Sequence, residues 1–140
     1  MTITRSAVTS LGLLLAVGCA HAPSGETQLE RWNERHAAAA HELCGWVAAY
    51  PDASTHFFEW DAAHPERARE FVTWTIEHPA EGINAFVALH PGWTEWNWIS
   101  ETHHPAANAF MAWARKHPRA AEDLVHHPAG LRWAGHHFGC

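Results

Sequence analysis

Charged residues are scarce in this chain, and basic residues are in the minority. Asp, Glu, Lys and Arg make up 17% of its 140 residues, and the formal net charge is −6 with histidine neutral. A surface that binds nucleic acid needs a basic face, so this composition argues against nucleic acid as a partner. It argues equally against electrostatic docking on anionic lipid.

The short motifs of common enzymes are also missing. The chain has no Cys-x-x-Cys-His for covalent haem, no glycine-rich phosphate loop and no Gly-x-Ser-x-Gly elbow. His41-Glu42 is not followed by the second histidine of a zinc-protease helix, because residue 45 is glycine. The sequence therefore predicts a protein that is not an enzyme and needs no cofactor.

Extended strands and membrane-spanning runs are equally unsupported. No stretch shows the sustained alternation that predicts strands. The small and apolar run over residues 11–17 is too short to cross a bilayer. It follows Arg5 and precedes Gly18-Cys19, and this order is typical of a secretory signal.

The end of that run carries a more specific motif. Leu15-Ala16-Val17-Gly18-Cys19 resembles the lipobox of bacterial lipoproteins, with Ala16 where the family usually has Leu. The resemblance implies that residues 1–18 are cleaved and that Cys19 is lipidated and holds the chain to a membrane. Because Ala20 stands where an Asp would resemble the inner-membrane retention signal, it implies an outer-membrane destination. The resemblance covers residues 1–20 only, and the motifs of the remainder indicate no family. The alternative is a simple secreted protein with a free Cys19.

Two cysteines remain after Cys19. An exported protein meets an oxidising compartment, where paired cysteines usually form a disulfide. We expect Cys44 and Cys140 to pair, which would tie the last residue to an early helix. The alternative makes Cys44 a metal ligand together with His41, one helical turn away.

A repeat of about 14 residues organises the rest of the chain. Trp occurs at positions 32, 46, 60 and 74, and a His or Tyr follows each Trp by four residues. The consensus is Pro-x2-small-x2-(Leu/Phe)-x2-Trp-x3-His. With slippage, the His-Pro pairs continue at His90-Pro91, His104-Pro105, His117-Pro118 and His127-Pro128.

The repeat predicts a tandem array of short helices. Pro suits the first turn of a helix, and the residue before Pro is pushed out of the helical conformation. Each unit is then one helix of about ten residues with a single apolar stripe. Such helices are too short to be stable alone and must stack. We therefore expect an all-α domain over residues 29–140, either α-solenoid-like or a compact helical bundle, after a lipidated Cys19 and a short tether over residues 19–28.

The fourteen histidines allow two interpretations. At a helix end, His interacts well with the carbonyl end of the helix dipole, and its ring can lie against the Trp four residues earlier. Imidazole also suits zinc, copper and nickel. The best metal candidates are the doubled pairs, in which one His is surplus to the consensus: His103, His104, His126, His127, His136 and His137.

Three tryptophans break the repeat. Trp93, Trp96 and Trp98 fall within six residues, and Trp98 lies off the apolar stripe. Exposed aromatic side chains mark interfaces, so Trp93 and Trp98 are the candidate partner-binding residues. The predicted function is a noncatalytic binding or scaffold lipoprotein of the cell envelope that contacts a protein or polymer. The alternative is a histidine-rich lipoprotein that binds copper, zinc or nickel.

Overall fold

The computed structural model describes the backbone of residues 24–137 and the side chains of residues 24–135. The predicted signal peptide over residues 1–18, the lipidated Cys19 and Cys140 lie outside the described residues.

Helices account for the regular structure of the described residues, and no strand occurs among them, which confirms the all-α prediction. They are α1 (Gly25–Arg35), α2 (Ala37–Ala49), α3 (Pro51–Ala63), α4 (Pro65–Glu77), α5 (Ile83–Leu89), α6 (Thr94–Thr102), α7 (His104–Lys116), α8 (Pro118–Val125) and α9 (Pro128–His137). None of the described helices is long and apolar enough to cross a membrane.

The first helix begins earlier than the sequence predicted. The tether was expected to extend to residue 28, but α1 starts at Gly25. The reason is a side-chain cap, because the Ser24 hydroxyl accepts a hydrogen bond from the Thr27 amide at 3.2 Å. Such a cap satisfies one of the free N–H groups of the first turn and fixes the helix start.

Single residues separate many consecutive helices. These residues have φ between −132° and −127° and ψ between 41° and 65°, and they are His36, Tyr50, His64, His103 and His117. Antiparallel helix pairs need connections of about two to five residues. A one-residue break instead turns a corner, so most of these helices find their main packing partner elsewhere in the chain.

The main partners are distant in sequence. Helix α9 packs chiefly on α3 and α1, α7 packs on α2 and α4, and α8 packs on α4. The approach of α9 to α1 requires Gly25, because a Cβ there would clash with the carbonyl oxygen of Ala129. The array is therefore a compact helical bundle, not an open solenoid.

Two of the corners contact each other reciprocally, which indicates an approximate two-fold axis between them, and two tryptophans make these contacts. The indole N–H of Trp32 donates to the carbonyl of Ala120 at 2.8 Å, and that of Trp113 donates to Ala39 at 2.9 Å. Each acceptor is the third residue of a helix, α8 and α2 respectively. The two indole rings contact each other at 6.2 Å between centroids.

The charged side chains at these corners follow the same symmetry. His36 Nε2 lies 2.9 Å from Asp123, the sixth residue of α8. His117 Nε2 lies 2.7 Å from Glu42, the sixth residue of α2. We call the pair of junctions α1–α2 and α7–α8 the two-fold corner.

Candidate functional site

Trp98 is the exposed aromatic residue that the sequence predicted. Its side chain lies on α6, with 38% of its surface exposed. Three rings surround it, at centroid distances of 5.1 Å for His56, 5.5 Å for Trp60 and 4.9 Å for His103. We call these four residues the Trp98 cluster. Because the neighbouring Ile99 is buried, α6 fixes the direction in which Trp98 points.

A groove of about 370 Å³ opens beside the cluster, between Trp60, Thr94, Glu95 and Trp98. Its two indoles meet at 72°, edge to face. Glu95 is anchored by His64 at 3.5 Å and Arg67 at 3.7 Å. Its own backbone N–H, together with the charges of these two residues, holds the pKa of Glu95 below its ordinary value. The groove thus combines apolar walls with one fixed negative charge.

Trp93 lies apart from this groove. It precedes the first residue of α6 and is half-buried. Its ring stacks on His90 at 4.0 Å, and the Arg67 guanidinium lies 5.0 Å from its centroid. It also contacts Phe86 and Trp96 of the core. The structure therefore does not bring the two candidate partner-binding residues together, and only Trp98 faces the groove.

The helix-end interpretation of the histidines fits several corners. His78 stacks on Trp74 at 4.6 Å, and wider contacts join Trp32 to His36 at 5.8 Å and Trp113 to His117 at 6.2 Å. His64 departs from the pattern, because its ring contacts Trp96 instead.

In two of the doubled pairs, the histidine that ends the helix is not the one that the sequence predicted. His103 and not His104 ends α6, and His126 and not His127 ends α8. His104 becomes the first residue of α7, which places Pro105 second. Pro is accepted there because the N–H groups of the first turn have no partner within the helix.

Three histidines of these pairs lie at hydrogen-bond distance from other protein groups. His104 lies 2.9 Å from the Asn108 amide, His126 lies 2.6 Å from the Glu122 carbonyl, and His127 lies 3.0 Å from Asp123. No group of three His, Cys, Asp or Glu side chains suited to a metal occurs in the part of the chain whose side chains are described. The side chains of His136 and His137 lie outside that part.

Only one of the two cysteines that were predicted to pair lies among the described residues. Cys44 is half-buried on α2. Because Cys140 lies outside the described residues, the Cys44–Cys140 disulfide stays a prediction.

Asp61 is a buried acid that sequence reasoning missed. Its side chain on α3 is 2% exposed, and its Oδ1 has no hydrogen-bond partner among the described residues. Burial raises the pKa of Asp61 to about 8. A signal was present, because Asp61 stands ten residues after Pro51, which at about 100° per residue places it on the predicted buried stripe. Thr75 occupies the same repeat position and is also buried.

Comparison with known proteins adds no assignment: no family model, curated protein or solved structure matches this chain.

Proposed function

We propose that this protein is a lipid-anchored envelope protein that acts as a noncatalytic binding module, with the groove beside Trp98 as its contact surface for a protein or polymer partner. The observation that carries the proposal is that Trp98 is exposed, whereas the other tryptophans among the described residues are buried or half-buried. Trp32, Trp96 and Phe57 are each only 1% exposed.

The chemistry of the groove supports contact with a partner. Trp is among the residues that contribute most to binding energy when a partner covers them. An indole also supplies a large contact area with few rotatable bonds, so ordering it on binding costs little entropy. Here the rings of His56, Trp60 and His103 already hold Trp98 in place. Glu95 adds one charged acceptor at the edge of the groove.

Site-specific crosslinking in cells tests the groove. A photoreactive residue at position 94, on the groove wall, is expected to give a discrete adduct in the intact lipid-anchored protein. The additional change Trp98→Ala should abolish the adduct because it removes the main contact surface. The helical circular dichroism and a cooperative melt should persist in this variant, since Trp98 is already partly exposed. Electrophoresis followed by mass spectrometry reads out the adduct.

Leu89 provides the matched control, because it is an apolar side chain with 60% exposure that does not line the groove. Leu89→Ala should leave the adduct from position 94 unchanged, and a photoreactive residue at position 89 should give none. An adduct of equal yield after Trp98→Ala would refute the groove as the contact surface.

The membrane anchor is tested separately. Cys19→Ser should move the protein from the membrane fraction to the soluble fraction and should prevent metabolic labelling with a fatty-acid analogue. The physical reason is that two or more acyl chains are needed for stable anchoring, and this residue would carry them. Persistent fatty-acid labelling of the Cys19→Ser protein would contradict the lipoprotein assignment without affecting the groove.

The metal-binding alternative has no observation in its favour among the described side chains, so we do not propose it. Loss of the adduct from position 94 on chelation would reopen it.

A further inference from the structure

A second cavity lies on the two-fold corner, away from the Trp98 groove. It has a volume of about 360 Å³ and is lined by residues 35–39 of one junction and residues 117–120 of the other. Because the two junctions are related by the approximate two-fold axis, the cavity is bounded by matching backbone segments on both sides. Trp32 and Trp113 join these segments through their indole hydrogen bonds to Ala120 and Ala39.

The ionisable side chains that line this cavity are all basic. They are Arg35, His36, His117 and Arg119. No acidic side chain lines the cavity, although the whole chain has a net charge of −6. Lys116 adds a further positive charge beside His117, where it binds Glu42 at 2.7 Å.

Two carboxylates that do not themselves line the cavity hold these basic groups in position. Asp123 binds Arg35 at 2.9 Å and His36 at 2.9 Å. Glu42 pairs with His117. With neutral histidines, these acids balance Arg35 and Lys116, and Arg119 is left as the uncompensated charge. Arg119 is exposed, and no ion pair involves it among the described residues.

We propose that this cavity binds an oxyanion of the phosphate class, with Arg119 as its principal ligand and Arg35, whose Nε and Nη2 already donate to Asp123, as a second positive charge. A guanidinium presents paired N–H donors that match two oxygens of a phosphate group. The volume exceeds what one phosphate needs, so the phosphate can carry a small ester group. The anion could be free phosphate or the headgroup of a lipid, because both present the same oxygens.

Backbone donors of the lining residues complement these side chains. The helical hydrogen bonds of α2 and α8 start at Ala40 and Ala121, so the earlier N–H groups on the cavity wall have no partner within their helices. Neither helix has a side-chain cap or an acid in its first turn. By contrast, α3 and α4 carry Asp52 and Glu66 there.

Calorimetric titration of the full lipidated protein in a neutral detergent tests this proposal. Inorganic phosphate should bind with a stoichiometry of one, and Arg119→Gln should weaken it about tenfold, the equivalent of one charge-assisted hydrogen bond. The matched control is Arg31→Gln, which removes the same charge from an exposed position on α1 outside the cavity. Arg31→Gln should leave the affinity unchanged.

A second titration with glycerol 3-phosphate distinguishes the source of the anion. Binding at least tenfold tighter than that of inorganic phosphate would assign an ester headgroup, and equal or weaker binding would assign free phosphate. No saturable binding of either compound, or equal weakening by Arg119→Gln and Arg31→Gln, would overturn the proposal. Both outcomes are independent of the Trp98 groove, because neither variant touches it.

Discussion

Asp61→Asn is expected to stabilise the protein strongly at neutral and alkaline pH and to have little effect near pH 4. The side chain is buried on α3 without a hydrogen-bond partner for Oδ1 among the described residues. Burial raises the pKa of Asp61 to about 8 in the folded protein, against about 3.9 in an unfolded chain. The folded state therefore keeps a proton that the unfolded state releases.

The direction of the pH dependence follows from that proton. Below pH 4 both states are protonated, and Asp61 carries no penalty. As the pH rises from about 4 to about 8, unfolding releases a proton, so the free energy of unfolding falls by up to about 1.4 kcal/mol per pH unit. At pH 7 the accumulated loss is on the order of 4 kcal/mol. The asparagine side chain is a neutral isostere and escapes this loss.

Thermal and urea unfolding at pH 4.5, 6 and 8 measures the difference between the two proteins. At each pH, the free energy of unfolding of the variant is subtracted from that of the wild type. This removes the contribution of the histidines, which both proteins share. Asp52→Asn is the matched control, because it makes the same substitution at an exposed position in the first turn of α3. A constant difference between wild type and Asp61→Asn across this pH range would show that Asp61 is charged in the fold.

Trp113→Ala is expected to destabilise the protein by about 3–5 kcal/mol, the usual cost of truncating a buried Trp. Trp113 is 6% exposed and contacts both Trp32 and Phe110. The substitution leaves a cavity on the two-fold axis and removes the hydrogen bond to Ala39 that joins α7 to α2. Trp113→Phe should cost less, because it keeps most of the packing and loses chiefly the N–H donor.

Urea unfolding of both variants separates the packing of the ring from the hydrogen bond of the indole. The difference in free energy of unfolding between Trp113→Ala and Trp113→Phe gives the contribution of ring packing, and the loss that Trp113→Phe alone causes gives chiefly that of the N–H donor. Trp98→Ala is the comparison for an indole that is partly exposed, and we expect it to cost about 1–2 kcal/mol because less surface is buried there. If Trp113→Ala cost no more than Trp98→Ala, the two-fold corner would not be part of the cooperative core.

The sequence predicted the helices because each unit contains its own stop and start signals. Pro51, Pro65 and Pro118 are the first residues of their helices, and the residue before each is the corner. The exposure of Trp98 also followed from its position off the stripe. The one-residue corners were not predicted, because α3 and α4 use 13 residues of the 14-residue unit and leave only one for the corner.

The pairing of helices could not be predicted in the same way. The repeat gives every helix a similar apolar stripe, so it does not specify which stripes meet. The indole of Trp46 reaches Ala106 and that of Trp113 reaches Ala39, and nothing in the 14-residue spacing distinguishes these partners from others. The basic cavity was missed for the same reason, because Arg35 and Arg119 come together only through this long-range pairing.

The position of α9 limits how this fold can change in size. In an open array, a unit can be duplicated or deleted because each contacts only its neighbours. Here the last described helix lies against the first and the third, and Gly25 allows almost no space between α1 and α9. An added unit would have to separate these helices. The number of units is thus set by closure of the bundle, although the sequence has the periodicity of a family that grows by duplication.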